Sequence, residues 1–169
     1  MASREPVRCA VLTVSDTRTA ETDSGGRLLA TLLESAGHRV IERAIVRDEP
    51  SEVWNTIEQW LIHPEVQVIL TTGGTGIARR DGTVEVVRAI LTAELEGFGE
   101  LFRMLSWKQV GAAAMMSRAV GGLVAREAEH GGDTFLFAMP GSVNAIETAM
   151  TLLGPQLSHL VWERRPGSK

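Results

Sequence analysis

A glycine-rich loop is the sharpest chemical feature of this 169-residue sequence. The loop comprises Thr72, Gly73, Gly74, Thr75 and Gly76. Glycine permits positive φ and lets backbone N–H groups approach an anion closely, and the two threonines add hydroxyl donors. A helix predicted to begin near Thr83 directs its positive end toward the same region. These features favour a phosphate-binding loop, and a plain tight turn is the alternative.

The loop matches neither of the two common nucleotide-binding patterns. It lacks the lysine of G-x-x-x-x-G-K-[ST] and the spacing of G-x-G-x-x-G. Arg79 and Arg80 follow closely and could supply positive charge. A nucleotide-dependent enzyme built on either pattern is therefore disfavoured.

Two carboxylates near the ends of predicted strands suggest a metal site. Asp81 closes the glycine-rich loop, and Asp48 follows the second predicted strand. Mg²⁺ commonly takes one or two carboxylates together with phosphate oxygens of a substrate. Asp48 and Asp81 are therefore the candidate Mg²⁺ ligands, and a helix N-cap is the alternative role for each.

Further polar and glycine residues lie where predicted strands end. They are Ser15, Asp16, Asp23, Ser24 and Gly25 in the first loop, and Pro140, Gly141, Ser142 and Asn144 after the last predicted strand. Turn formation and helix capping are the alternative roles for both groups. Arg118, which follows Ser117, is expected at the surface.

Strand and helix signals alternate along the chain. Predicted strands cover residues 8–15, 40–46, 66–72 and 134–139, and predicted helices cover residues 26–36, 51–62, 83–93, 101–107, 142–153 and a last piece that ends near 162. Residues 117–125 are compatible with a strand or a turn. This alternation predicts an α/β fold of parallel β-α-β units with helices on both faces. Ligands bind beyond the carboxyl ends of the strands in such sheets, so the three loops described above are expected to converge there.

The composition is that of an ordinary globular domain, with 44% hydrophobic and 22% charged residues. Its length predicts one domain over residues 1–169, with a core over about residues 8–162. The net charge of −4 argues against a broad nucleic-acid surface. No apolar run approaches the about 18 residues of a membrane span, and residues 1–7 do not resemble a signal peptide. We therefore expect a cytoplasmic protein without nucleic-acid or membrane partners.

Cysteine, histidine and aromatic residues suggest packing rather than chemistry. Cys9 lies in an apolar run and is expected in the core, and the four histidines lack the spacing of metal ligands. Phe98 and Phe102 are four residues apart, which favours core packing. The tryptophans are predicted in the core or at an interface, and they are Trp54, Trp60, Trp107 and Trp162.

Seven short motifs, in this order, resemble the MoaB/Mog family of molybdenum-cofactor biosynthesis proteins. The motifs are LTVSD at 12–16, DSG at 23–25, TTGGTG at 71–76 with Asp81, GFGE at 97–100, FRMLS at 102–106, SRAV at 117–120 and AMPGS at 138–142. The resemblance covers about residues 8–160. The GFGE, FRMLS and AMPGS forms are similar to the MoaB branch.

This resemblance implies a three-layer α/β/α molybdopterin-binding fold with a mainly parallel sheet, assembled as a trimer or a hexamer. It also implies a reaction in which molybdopterin is adenylylated by Mg-ATP, giving adenylyl-molybdopterin and pyrophosphate. By motif, Asp48 and Asp81 correspond to the carboxylates needed for transfer, and residues 72–76 to the phosphate-binding loop. The pocket-lining candidates are Ser15, Asp16, Ser24, Gly25, Ser117, Pro140, Gly141, Ser142 and Asn144.

Two alternatives remain within the family. The chain either transfers AMP to molybdopterin or binds molybdopterin without transfer, and the presence of both carboxylates favours transfer. The segment 125–133 is longer than the usual connection in the family, and its charged, glycine-ended sequence predicts an exposed hairpin tip.

Overall fold

The computed structural model describes residues 5–165, which form a six-stranded sheet covered by helices on both faces. The strands are β1 (Arg8–Val14), β2 (Arg39–Val46), β3 (Val68–Thr72), β4 (Ala93–Glu94), β5 (Val120–Val124) and β6 (Thr134–Met139). The helices are α1 (Ser24–Ser35), α2 (Pro50–Leu61), α3 (Thr83–Ile90), α4 (Glu96–Val110), α5 (Val143–Leu153) and α6 (Leu157–Glu163). The predicted single-domain range 1–169 includes residues 1–4 and 166–169, which lie outside the described residues.

The sheet is mainly parallel, as predicted. Its strand order is β2-β1-β3-β6-β5-β4, and the first four strands in this order are parallel. β5 runs antiparallel to β6, and β4 runs antiparallel to β5. The segment 117–125 therefore contains a strand. Gly121 and Gly122 suit it because a Cβ on Gly121 would lie 2.1 Å from the ring of Phe137, and one on Gly122 would lie 2.1 Å from the carbonyl oxygen of Ala93.

Two apolar cores separate the three layers. Alternate residues of the central strands point to opposite faces, so β1 contributes Val11 to one core and Leu12 to the other. The first core packs the sheet against α1, α4, α5 and α6, and the second packs it against α2 and α3. Cys9 is fully buried in the first core, as predicted, and burial raises its pKa to about 12.

Two elements differ from the sequence-based expectation. Helix α4 covers Glu96–Val110 rather than residues 101–107, because Gly97 and Gly99 lie inside the helix instead of breaking it. Gly99 is required there, since a Cβ would lie 2.8 Å from the carbonyl oxygen of Ala119. Helix α1 begins at Ser24 rather than at residue 26, because the buried Asp23 caps it by accepting a hydrogen bond from Gly26 N (2.9 Å).

The segment 125–133 connects the antiparallel strands β5 and β6, and its tip at residues 127–129 is exposed, as predicted. Its Arg126 guanidinium donates to the carbonyl oxygens of Leu61, Val66 and Gly132. Burial lowers the pKa of Arg126. The hydrogen bonds of Arg126 therefore join this connection to the C-terminal end of α2. Among residues 5–165, no helix combines the length and apolar character needed to cross a membrane.

Candidate functional site

The three loops predicted to converge do meet at the carboxyl ends of β1, β3 and β6. Gly141 follows β6 and lies against the glycine-rich loop after β3, since its Cβ position is 3.5 Å from Cα of Gly73. A Cβ on Gly25, at the start of α1, would lie 3.5 Å from the carbonyl oxygen of Gly141. Because these strands are adjacent and parallel, their ends place all three loops at one rim of the sheet.

The glycine-rich loop turns sharply at two residues with positive φ. Gly73 has φ 94° and Gly74 has φ 66°, a backbone region that favours glycine. Neither position has space for a side chain. A Cβ on Gly73 would lie 2.2 Å from the carbonyl oxygen of Val14, and one on Gly74 would lie 2.2 Å from Oγ1 of Thr83. The turn therefore requires glycine for its conformation and for its packing.

The N–H groups of this turn are available to a ligand. Gly73 N donates to the carbonyl oxygen of Met139 (3.1 Å). Within residues 5–165, the N–H groups of Gly74, Thr75 and Gly76 donate to no protein acceptor. Successive unpaired amides form the concave donor arrangement that binds anions. The loop therefore has the chemistry of an anion-binding site.

The two candidate carboxylates lie close together behind the loop. Burial, followed by the neighbouring carboxylate of Asp81, raises the pKa of Asp48 to about 6. Oδ1 of Asp48 is buried and accepts no hydrogen bond within 3.5 Å from the described residues. Asp81 Oδ2 accepts from Ala78 N (2.8 Å), so this carboxylate also stabilises the turn. Asp48 and Asp81 together therefore provide buried and exposed carboxylate oxygens behind the glycine-rich loop.

Asp16 and Arg80 connect the first two strand ends to the glycine-rich loop. Asp16 Oδ1 accepts from Asp48 N (3.1 Å), and Arg80 forms ion pairs with Asp16 (3.2 Å) and Glu49 (3.0 Å). All three ion-pairing side chains are part-exposed, so these pairs contribute modestly to stability. Arg80 is thus paired with carboxylates, whereas Arg79 is exposed.

A cleft of about 380 Å³ opens beside the glycine-rich loop, and we call it the α4 cleft because α4 and the 3₁₀ helix after it form one wall. That wall consists of Phe102, Ser106, Gln109, Val110, Ala113, Ala114 and Met116. The rest of the lining consists of Gly74, Thr75, Gly76, Asp81, Ser117, Pro140, Gly141, Ser142, Asn144 and Ala145. The cleft is therefore apolar on one side and rich in polar groups and free amides on the other.

A second cleft of about 300 Å³, the α1 cleft, lies on the other side of the turn after β6. Its polar lining includes Thr13, Ser15, Arg18, Asp23, Ser24, Thr72 and Ser142. Gly141 and Ser142 line both clefts. The two clefts therefore share a boundary two residues wide, and one extended ligand can contact both.

Most of the sequence-predicted residues line one of these clefts. Asp81, Thr75, Gly76, Ser117, Pro140 and Asn144 line the α4 cleft with Gly74, while Ser15, Ser24, Gly25, Thr72 and Gly73 line the α1 cleft. Asp16 and Asp48 line neither and lie behind the rim. Two hydroxyl groups already have protein partners, because Thr72 donates to the carbonyl oxygen of Pro140 (3.2 Å) and Ser142 accepts from Ala145 N (3.2 Å).

Arg118 is part-exposed rather than free at the surface. Its side chain is 25% exposed, and its guanidinium donates to the carbonyl oxygens of Thr75 and Gly76 and to Glu85. Short local patterns could not reveal these contacts, since they join positions more than 30 residues apart.

A family model described as "Probable molybdopterin binding domain" matches residues 10–159, which is most of the chain. The chain belongs to the MoaB/Mog family. Among its relatives, the molybdenum cofactor biosynthesis protein B of Staphylococcus carnosus is 48% identical over 161 residues, covering 93% of this chain and 90% of that protein. The protein of the same name from Bacillus cereus is 45% identical over 159 residues, with the same coverage.

Solved structures of the MoaB/Mog family have the same fold. A crystal structure of molybdenum cofactor biosynthesis protein B is 44% identical, covers 95% of this chain and 97% of its own, and has a TM-score of 0.88. The tungsten cofactor synthesizing protein MoaB from Pyrococcus furiosus is 32% identical, covers 95% of this chain and 98% of its own, and has a TM-score of 0.81. A MogA structure at 26% identity also has a TM-score of 0.81, with coverage of 94% and 99%.

Sequence patterns missed most of the α4 wall of this MoaB/Mog domain, and they also missed Thr13 and Arg18 in the α1 cleft. Phe102 was predicted to pack in the core, and it is 1% exposed, but it also borders the cleft. Ser106 and Gln109 follow it at helical spacing on the same side of α4. That spacing is the one signal in the sequence that could have grouped them with Phe102.

Proposed function

We propose that this protein acts in molybdenum cofactor biosynthesis by binding molybdopterin and adenylylating it with Mg-ATP, which yields adenylyl-molybdopterin and pyrophosphate. The observation that supports this most directly is the row of unpaired amides at Gly74–Gly76 on the wall of the α4 cleft. The adjoining α1 cleft provides space for a second group. An adenylyl transfer requires two anionic substrates side by side, and two clefts with a shared boundary suit that requirement.

The nucleophile in this reaction is the terminal phosphate of molybdopterin. A phosphate monoester has a second pKa near about 6, so it is largely dianionic at neutral pH and needs no general base. A phosphate oxygen bonds to the α-phosphorus of ATP, and the bond from that phosphorus to the bridging oxygen breaks, releasing pyrophosphate. The protein's task is to align two anions and offset their repulsion. Backbone N–H groups at Gly74–Gly76 suit this task because they donate hydrogen bonds without titrating.

The chemistry of the carboxylate pair fits Mg²⁺. Asp48 Oδ1 is a buried acceptor without a protein donor, and Asp81 lies beside it. Within the described part of the chain, no group of three or more His, Cys, Asp or Glu side chains is placed to hold a metal. Two carboxylates suffice for Mg²⁺ when substrate phosphates complete its ligands. Asp48 and Asp81 would hold the ion, which when bound neutralises phosphate charge.

The decisive experiment mixes purified protein with molybdopterin and α-labelled ATP in the presence of Mg²⁺. We expect labelled adenylyl-molybdopterin and unlabelled pyrophosphate. The matched variants are Asp81→Asn and Glu58→Gln, which each remove one carboxylate charge, the first beside the loop and the second at an exposed position of α2. Loss of transfer in Asp81→Asn with retained molybdopterin binding supports a chemical role for the carboxylate. Molybdopterin binding without any product in the unmodified protein would instead establish the alternative, a binding protein without transferase activity.

We also propose that the protein is a homo-oligomer, a trimer or a hexamer. An exposed apolar surface supports this, since Leu101, Met104, Trp107, Met115 and Met116 are each 47% to 81% exposed along α4 and the 3₁₀ helix after it. Light scattering would measure the mass. Trp107→Glu should dissociate the assembly, whereas Ile62→Glu, at an equally exposed position on α2's C-terminal end, should not. A monomeric mass for the unmodified protein at micromolar concentration would contradict the proposal.

A further inference from the structure

One arginine, which does not itself line the α4 cleft, donates hydrogen bonds to the glycine-rich loop. Nε of Arg118 donates to the carbonyl oxygens of Thr75 (3.2 Å) and Gly76 (3.1 Å), and Nη2 donates to Gly76 again (2.5 Å). Nη2 also lies 3.5 Å from the carbonyl oxygen of Asp81. The guanidinium fork thus contacts three carbonyl groups of the same loop, which a single ammonium group cannot reproduce with the same geometry.

The hydrogen bonds of Arg118 determine where the loop's N–H groups point. In a planar trans peptide, the C=O and N–H groups point in opposite directions. Because the carbonyls of Thr75 and Gly76 point to Arg118, the N–H groups of Gly76 and Ile77 point away from it. Thr75 and Gly76 line the α4 cleft, whereas Arg118 does not. The arginine therefore orients donors without contacting a ligand itself.

Glu85 fixes the guanidinium and balances its charge. Nη1 of Arg118 forms an ion pair with Glu85, which lies in the first turn of α3. The hydrogen bond from Arg118 lowers the pKa of Glu85, so the pair stays ionised at neutral pH. Arg118 consequently adds no net positive charge near the α4 cleft. Its contribution is to orient the amide donors of the loop.

A second arginine braces the backbone from which Arg118 extends. Nη1 of Arg103, on α4, donates to the carbonyl oxygens of Ser117 (3.4 Å) and Ala119 (3.3 Å), the residues on either side of Arg118. The α4 wall and the glycine-rich wall of the cleft are therefore joined by side chains through residues 117–119.

We infer that Arg118 is a positioning residue, which presents the amide of Gly76 to the phosphate of a substrate in the α4 cleft. This inference rests on the proposed function and adds a residue through which its binding loop is held. Removal of the fork should leave the loop in place, because Gly73, Gly74 and Asp81 still form its turn. The orientation of two peptide groups should be lost, and with it the affinity for a phosphate ester.

The test compares Arg118→Lys and Arg118→Gln with Arg88→Gln. Arg88 is a matched control, since it also extends from this region to a carboxylate, Glu94 (3.5 Å), but makes no hydrogen bond to the loop among the described residues. Calorimetry measures dissociation constants for Mg-ATP and for molybdopterin, and NMR follows the amide signals of Gly76 and Ile77 in the free protein. We expect both Arg118 variants to bind about tenfold or more weakly, the effect of losing a hydrogen bond to a charged group.

Chemical rescue separates positioning from general stability. In Arg118→Ala, millimolar guanidinium should restore binding and the two amide signals, whereas methylammonium should not. Unchanged amide signals in Arg118→Lys, or shifted signals with unchanged affinity, would overturn the inference. If Arg118→Gln does not fold, Arg118→Lys decides alone. If the unmodified protein binds neither probe, the proposed function fails, while the amide signals of the free protein still decide whether Arg118 orients the loop.

Discussion

The carboxylate of Asp48 should destabilise the folded protein at neutral pH, and Asp48→Asn should remove this effect. Its pKa is about 6 in the folded protein against an ordinary 3.8. One pKa unit corresponds to about 1.4 kcal/mol, so a fully shielded carboxyl would lower the free energy of unfolding by about 3 kcal/mol. Screening at this part-exposed group reduces the effect to about 1 kcal/mol.

The sign of the effect sets its pH dependence. Well below pH 3.8, Asp48 is protonated in the folded and unfolded chain, so Asp48→Asn should have the stability of the unmodified protein. Between pH 4 and 6 the unfolded chain loses this proton while the folded protein keeps it, which favours unfolding. The variant should therefore gain stability relative to the unmodified protein through this window, and the gain should stay constant above it.

Urea denaturation between pH 4 and 8 measures this difference. Asp81→Asn removes the neighbouring charge, so the gain from Asp48→Asn should shrink in that background, and the four proteins form a double-mutant cycle. Mg²⁺ should raise the stability of the unmodified protein by about 1.4 kcal/mol at ten times its dissociation constant, and it should leave Asp48→Asn unchanged. An Asp48→Asn variant that is less stable at pH 7.5, or most favoured at pH 4, would refute the reasoning.

Two further substitutions test the packing around the site. Gly74→Ala should lower the free energy of unfolding by about 2–4 kcal/mol, because alanine disfavours positive φ and its Cβ would clash with Thr83. Gly37→Ala is the control: it also has positive φ but open space around it, so it should lower the free energy of unfolding by only about 1–2 kcal/mol. Equal losses in thermal denaturation would contradict this. His38→Ala should cost about 1–3 kcal/mol, because the buried ring hydrogen-bonds Gly154 O (2.9 Å) and another backbone group. A change under about 0.5 kcal/mol would count against it.

The layered fold could be predicted because its signals are local. The apolar runs of β1, β3 and β6 and the helices between them define parallel units, and their carboxyl ends then have to meet at one rim. Helix α4 was predicted too short because Gly97 and Gly99 are poor helix formers. The close approach of Ala119 requires a small residue at position 99, and that contact exists only in the folded protein.

The site residues at the carboxyl ends of the strands could be predicted from the order of strands and helices, whereas the α4 wall of the cleft could not. Ser142 and Asn144 follow a strand, so topology alone places them near the glycine-rich loop. Gln109 borders the α4 cleft only because α4 packs beside α5, where it hydrogen-bonds Thr148 (3.0 Å). The contacts of Arg118 could not be predicted because most of its partners are backbone carbonyls, and every residue type supplies a carbonyl.

The last strand of the chain, β6, lies between β3 and β5. During synthesis, residues 8–72 can pair as β2-β1-β3, but the half that carries β4 and β5 has no neighbour in the sheet until residues 134–139 emerge. Both clefts border the turn that follows β6, at Gly141 and Ser142. A nascent or truncated chain that lacks this strand therefore also lacks the turn that borders both clefts, and contacts between segments so distant in sequence form slowly. The proposed ligand should consequently protect only the completed fold from proteolysis.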